Sequence, residues 1–290
     1  MLLSWLTGML LLVQPVPVNT PDSISLVQQG QTIAIIQRKD FTVPLPGTPV
    51  LDTEKLKVFT DKLEGQVYRP PINARINDTG GISSGQNGSK LYREAFKEKF
   101  YAKFFSKGPS KIEIPSLTVH PRVDSELLGN IRTNHLGQYV TYFNRSNTSR
   151  IHNISLAANA IDNHVVFPGE TFSFNRVVGN RTKEKGYMRA PVIIRGELSE
   201  GVGGGICQVS STLFNAVDRA GLHIVQRYSH TRRVPYVPKG RDATVSWYGP
   251  DFRFQNRYNQ PILIRAKAYG GSIMVMVSSS DVINLPQKKR

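Results

Sequence analysis

Cys207 is the only cysteine of this 290-residue chain, and it follows three glycines in Gly203-Gly204-Gly205-Ile206-Cys207-Gln208-Val209-Ser210-Ser211. The residues after it place Val209, Leu213, Phe214, Ala216, Val217 and Ala220 on one face of a helix, with Gly221 as its stop. The thiol is therefore expected at a helix N-terminus, where unpaired N–H groups and the positive end of the dipole favour a thiolate. A lone cysteine forms no internal disulfide and is a poor start for a zinc site. It is either a nucleophile or a buried small residue. Free cysteines are often packing, but a packed helix has no need of three glycines before it.

A cysteine nucleophile needs a base or cation to hold the thiolate, and a third group to orient that partner. His230 followed by Asp242 supplies both types in order. His223, on the preceding strand, competes as the base, and residue parity does not separate the two. Asp242 can equally cap a turn or pair with Arg241. Gly203, Gly204 and Gly205 let backbone approach a substrate and can leave N–H groups free as an oxyanion hole. Gln208, Ser210, Arg232 and Tyr236 complete the candidate substrate-binding set. Ser210 and Ser211 fall in the first helical turn, where they also suit backbone capping. Arg232 and Arg233 are either surface charge or ligands for a substrate carboxylate. The six histidines show no His-x-x-x-His spacing and no Cys-x-x-Cys is possible, so neither a metal nor a cofactor is expected.

Cysteine opening a helix, then strand, histidine and acid is also the order of papain-like and transglutaminase-like enzymes. The fold class expected is α+β in two modules. The C-terminal module would carry the cysteine at a helix N-terminus packed on an antiparallel sheet. In the first module, Ile24 to Val43 alternates as strand material, and a helix starts near Asp52 with Leu56, Phe59 and Leu63 on one face. Ile72 to Ile76 is a short strand, Leu91 to Phe105 a second helix, and Lys111 to Val119 a further strand. In the second module, Ile151, Ile154, Ala158 and Ile161 mark a helix, and Thr171 to Asn175 a strand. Strands are expected at Val192 to Arg195, Leu222 to Tyr228, Ala243 to Trp247, Phe252 to Gln255, Ile262 to Ala268 and Ser272 to Val277. The last two are joined by the hairpin turn Tyr269-Gly270-Gly271. The boundaries read as 24–122 for the first module, 123–149 for a connector, 150–280 for the second module and 281–290 for a basic tail.

The net charge of +16, from 37 basic and 21 acidic residues, favours polyanionic surroundings such as wall polymers or an acidic membrane surface. No nucleic-acid recognition motif accompanies the charge, so nucleic acid is not an expected partner. Met1 to Val18 carries no charge and is apolar from Leu2 to Val13. Residues 1–21 thus read as an export signal or N-terminal anchor, although no Lys or Arg precedes the apolar run and no Ala-x-Ala site follows it.

From about Arg150 to Val277 the chain resembles the VanW family of bacterial envelope proteins. Three blocks carry the resemblance: Phe167-Pro168-Gly169-Glu170-Thr171-Phe172-Ser173-Phe174-Asn175, the Gly203 to Leu213 segment, and a third block. That third block holds His230, Tyr236-Val237-Pro238, Gly240, Asp242-Ala243-Thr244-Val245, Asp251, Phe254 and Asn256. Leu51 to Pro121, with Arg69-Pro70-Pro71-Ile72-Asn73-Ala74-Arg75-Ile76, is similar to a peptidoglycan-binding module. The resemblance implies a link to glycopeptide resistance and an L,D-transpeptidase activity with Cys207 as nucleophile. The implied substrate is a peptidoglycan stem peptide and the implied product a 3→3 cross-link. A cysteine peptidase and a non-catalytic wall-binding protein are the alternatives.

Overall fold

The computed structural model describes residues 22–44, 49–194 and 197–284. The expected signal or anchor (1–21), Arg195 and the basic end of the tail (285–290) lie outside the described residues. The chain is α+β and divides into two compact units. One runs to Ile72 and resumes over Gln86–Pro121; the other holds Asn73–Gly85 and everything from Arg122 onward.

In the first unit, β1 (Ser23–Gln28) pairs antiparallel with β2 (Gln31–Gln37) and parallel with β8 (Ser110–Glu113). The short β3 (Thr42–Val43) and β4 (Val50–Leu51) lead into α1 (Thr53–Val67), whose N-cap Asp52 accepts from the Lys55 N–H at 3.0 Å. After α1, β7 (Gly88–Leu91) pairs with β9 (Ser116–Val119), and α2 (Arg93–Phe104) lies between them in sequence. Ile24, Leu26, Leu63, Phe96 and Phe100 form the heart of this core. The strand expected over Lys111 to Val119 is broken into β8 and β9 because Pro115 has no N–H for a ladder.

The second unit starts with a hairpin that the sequence reading assigned to the first module. Strands β5 (Arg75–Ile76) and β6 (Ile82–Ser83) pack with α3 (Ser125–Ile131) through Ala74, Ile76, Leu128, Ile131, Val165 and Leu263. Apolar burial on two later strands therefore draws 73–85 out of the expected 24–122 module. Residues 123–149 are likewise not a connector. They hold α3 and β10 (Asn134–Tyr142), an edge strand of a four-stranded antiparallel sheet. The sheet order is β10-β18-β17-β11, with β11 at His164–Val166, β17 at Ile262–Tyr269 and β18 at Ser272–Ser279.

Two helices pack on this sheet: α4 (Thr148–Ile161) against β17, and α6 (Ile206–Arg219) against β10 and β18. Val209, Leu213, Ala216 and Val217 of α6 are fully buried. Such burial contributes about 1.5–3 kcal/mol for each larger side chain. The register of α6 on β10 depends on Gly137. A Cβ there would stand 2.3 Å from the Ala216 carbonyl oxygen and 2.6 Å from the Ala220 nitrogen. Buried hydroxyls repeat the constraint, Thr141 Oγ1 lying 2.8 Å from Thr212 Oγ1.

A second sheet, β12-β16-β15, uses Thr171–Ser173, Arg253–Gln255 and His223–Gln226. The short helix α5 (Phe174–Val178) follows β12, so the strand expected to reach Asn175 stops at Ser173. Strands β13 (Arg189–Ile194) and β14 (Glu197–Val202) make an antiparallel ribbon that delivers the chain to the glycine triplet. Residues 243–246 join no sheet, and Trp247 lies in a turn. Side chains of α6 take the Ala243 N–H and carbonyl, while the Thr244 N–H goes to the Tyr228 carbonyl and the Ser246 N–H to the Pro250 carbonyl, so strand-like composition there produced no ladder.

Candidate active site

The glycine triplet sets where α6 begins. Gly203 and Gly205 have φ of 86° and 107°, conformations that side chains rarely tolerate. Gly204 has ordinary φ but sits against β13, where a Cβ would lie 2.6 Å from the Ala190 carbonyl. Asn153 of α4 ties these pieces together: its Nδ2 donates to the Met188 and Gly204 carbonyls at 2.9 and 3.0 Å, and its Oδ1 accepts from the Met188 N–H. The Gly203 N–H is committed to the Met188 carbonyl, and the N–H groups of Ile206 and Gln208 to Gly203 and Gly205. The Cys207 N–H has no partner among the described residues, so it is available to a bound oxygen atom.

Cys207 is partly exposed. One side of it packs on the core, and the other lines a cleft of about 1020 Å³. Of the two faces of this lone cysteine, one is packing and the other is open to the cleft. His230, Gln208, Tyr236, Gly203 and Gly205 line the same cleft.

The acid and base reach the sulfur from one long loop that α6 clamps. Ser211 Oγ accepts from the Ala243 N–H at 2.9 Å, and Ser210 Oγ donates to the Ala243 carbonyl. Asn215 Nδ2 donates to the Arg241 carbonyl at 2.7 Å, and Arg241 pairs with Asp218 at 2.8 Å. Arg227 donates to the Asp242 carbonyl at 2.7 Å. Asp242, held between these anchors, is 6% exposed. It accepts from both the backbone N–H and the Nδ1 of His230, each at 2.6 Å. With Nδ1 occupied, Nε2 is the ring nitrogen left for another partner, and His230 shares the cleft with Cys207. On the far side of the sulfur lie Thr244 Oγ1 at 3.8 Å and the Val245 carbonyl at 3.5 Å.

The electrostatics follow from this packing. Burial pushes the Cys207 thiol up, but hydrogen bonding to His230, a backbone hydrogen bond at Val245 and the imidazolium charge together bring it below the ordinary thiol value. Burial pulls His230 down, and its hydrogen bonds and charge contacts with Cys207 and Asp242 raise it above the usual imidazole value. Asp242, despite burial, is held below the usual carboxylate range by its two hydrogen bonds to His230. Opposite shifts on sulfur and imidazole define a thiolate–imidazolium pair. Burial and the nearby thiolate raise the Tyr236 phenol, so it stays a neutral hydrogen-bond donor.

Several candidate residues stand elsewhere. His223 is exposed on β15 and is not part of the cleft. Ser210 is fully buried and serves the loop, not a ligand. Gln208 is 1% exposed, and its amide is fully used: Nε2 donates to Thr141 Oγ1 and the Tyr142 carbonyl, while Oε1 accepts from Arg150 at 2.9 Å. Arg232 is exposed outside the cleft. The arginines that do line it are Arg150, in the first turn of α4, and Arg181, in the loop after α5. Sequence reasoning missed both. Arg150 carried a weak signal, lying three residues after the N-cap Asn147 on the helix that packs beside α6. Arg181 carried none, because no periodicity aims a loop residue. The expected adjoining sheet for His230 and Asp242 is also absent: both lie on the loop between β15 and β16. Among the described residues, no group of three metal-binding side chains occurs.

A helix-borne cysteine, a loop-borne histidine and its aspartate stand together in an α+β unit, and the comparisons give that unit a family. The family model described as VanW like protein matches residues 149–278. A Bacillus subtilis (strain 168) relative called Uncharacterized protein YoaR is 67% identical over 284 residues, covering 98% of this chain and 93% of its own. The Vancomycin B-type resistance protein VanW of Enterococcus faecalis (strain ATCC 700802 / V583) is 34% identical over 113 residues. That match spans 37% of this chain and 41% of the relative. No solved structure matches. The chain belongs to the VanW family.

Proposed function

We propose that this protein is an exported cysteine acyltransferase acting on peptidoglycan stem peptides, with an L,D-transpeptidase type of reaction. The observation that carries the reading is the Cys207–His230–Asp242 arrangement opening on a cleft large enough for a peptide. The Cys207 thiolate attacks the carbonyl carbon of the third stem residue, and the Cys207 N–H steadies the developing oxyanion. The bond to the terminal D-alanine then breaks, and the His230 imidazolium gives its proton to the leaving amine. A side-chain amine of a neighbouring stem attacks the thioester, His230 takes a proton from it, and the thiolate leaves. The product is a 3→3 cross-link. Asp242 keeps the imidazole in the tautomer that both steps require.

The test is mass analysis of muropeptides after incubation with purified protein. Dimers are expected with the native chain and none with Cys207→Ala. Equal dimer formation by the variant refutes the reading, and released stem peptides without dimers assign the site to a peptidase instead. The +16 charge favours a second reading, a wall-binding protein held by anionic polymer. Under that reading, sacculus binding weakens with salt and is indifferent to Cys207. The first unit, similar to a peptidoglycan-binding module, would contribute affinity in either case.

A further inference from the structure

Two cations face this cleft without an anion between them. Arg150 and Arg181 both line it, and the charge of Cys207 acts on both. Burial lowers the pKa of each guanidinium, the signature of a cation held away from water. Among the described residues neither has a carboxylate at ion-pair distance. Arg181 donates from Nη2 to Asn175 Oδ1 at 2.8 Å, yet its buried Nη1 has no hydrogen-bond partner. Asp251, the nearest acid that acts on it, is spent on the Ser173 hydroxyl at 2.6 Å and the Asn175 N–H at 2.9 Å. Elsewhere the fold does pair a buried arginine: Arg265 meets Asp162 at 2.9 Å. A cation with no carboxylate partner in a partly buried place is unfavourable. Leaving two on the cleft that holds Cys207 points to a ligand that brings negative charge.

We propose that Arg150 and Arg181 form a carboxylate-binding subsite beside Cys207, which takes the terminal carboxylate of a peptide acyl donor. The inference rests on the acyl-transfer reading above and deepens it. In a peptide whose last residue is the leaving group, only the amide nitrogen and one α-carbon separate the attacked carbonyl from the α-carboxylate. A cation next to the sulfur is therefore where that carboxylate arrives. The planar guanidinium fork suits a carboxylate, and Gln208 and Asn175 fix the two forks from behind. The site would thus select donors that end one residue past the attacked bond.

The test does not require turnover. In Cys207→Ala protein, calorimetry compares a stem tetrapeptide ending in D-alanine with the same peptide as its C-terminal carboxamide. The free acid is expected to bind about tenfold or more tightly. Arg181→Gln in that background should abolish the preference while leaving carboxamide affinity unchanged. Arg181→Lys, which keeps the charge, should retain part of it and controls for loss of fold. Equal binding of the two peptides, no binding of the acid, or a preference that survives Arg181→Gln combined with Arg150→Gln overturns the proposal. Failure of cross-linking with the carboxylate preference intact would instead remove the acyl-transfer reading and leave the subsite.

Discussion

Asp242 receives two hydrogen bonds from one residue, the backbone N–H and the Nδ1 of His230, both at 2.6 Å. The backbone bond fixes where the imidazole is anchored, and the ring bond fixes which nitrogen remains for Cys207. Asp242→Asn preserves the shape but removes the charge and permits the wrong tautomer. Catalytic rate should fall by about 100-fold or more. Alkylation of Cys207 followed against pH should move toward the ordinary thiol value. An unchanged profile would contradict the role assigned to Asp242.

The pH response follows from the directions of the shifts. Thiolate is present above the lowered pKa of Cys207, and imidazolium below the raised pKa of His230. Activity should climb as pH rises through the first value and decline as it rises through the second. Stability shares the alkaline edge at His230 but takes its acid edge from Asp242. The His230 contribution is complete below its unfolded value and lost as pH rises through its folded value. The Asp242 contribution is complete above its unfolded value and lost as pH falls through its lowered folded value. Melting temperatures across pH should show both losses in the native chain, and His230→Ala should remove the alkaline one.

His223→Ala separates the two histidines directly. His223 is exposed on β15, so its removal should change stability by no more than about 0.5 kcal/mol and leave activity intact. His230→Ala should abolish turnover in the same muropeptide assay. Loss of activity in both variants would require a second base.

Gly204→Ala tests how α6 is placed. Its new methyl would meet the Ala190 carbonyl at 2.6 Å, with backbone on both sides of the contact. A destabilisation of about 1–3 kcal/mol is expected by chemical denaturation. Cys207 alkylation should slow as the helix start moves.

Ser211→Ala tests the clamp on the loop. It strips the partner from the buried Ala243 N–H, at a cost of about 1–3 kcal/mol. Activity should fall further than stability alone accounts for, because Asp242 is the next residue back. Catalytic rates measured well below the melting transition would show the difference.

The helix bearing Cys207 was legible because its apolar face and Gly221 stop are both local signals. The grouping of His230 with Asp242, and of His230 with Cys207 along one cleft, was also foreshadowed, since each side-chain type has a distinct chemistry. The choice between His223 and His230 was not legible. It turns on a loop held by Ser210, Ser211 and Asn215, and these bonds span long stretches of chain. The same bonds hold Ala243 to α6 instead of to a neighbouring strand. Arg150 and Arg181 escaped for a related reason: a cleft is a tertiary object, and their spacing to Cys207 in sequence encodes nothing about it. The role of residues 123–149 was hidden by polar composition, because an edge strand needs apolar residues on only one face.

The chain passes into the second unit at Asn73, leaves it after Gly85 and returns at Arg122. No single proteolytic nick or stop codon can therefore liberate an intact second unit. A fragment trimmed to the family match at 149–278 would shed β10 as well as the β5–β6 hairpin, baring the flank of β18 as a sticky template for other chains. Recombinant work on this family should begin from the full polypeptide, and insoluble short fragments would reflect that missing strand and not a defective site.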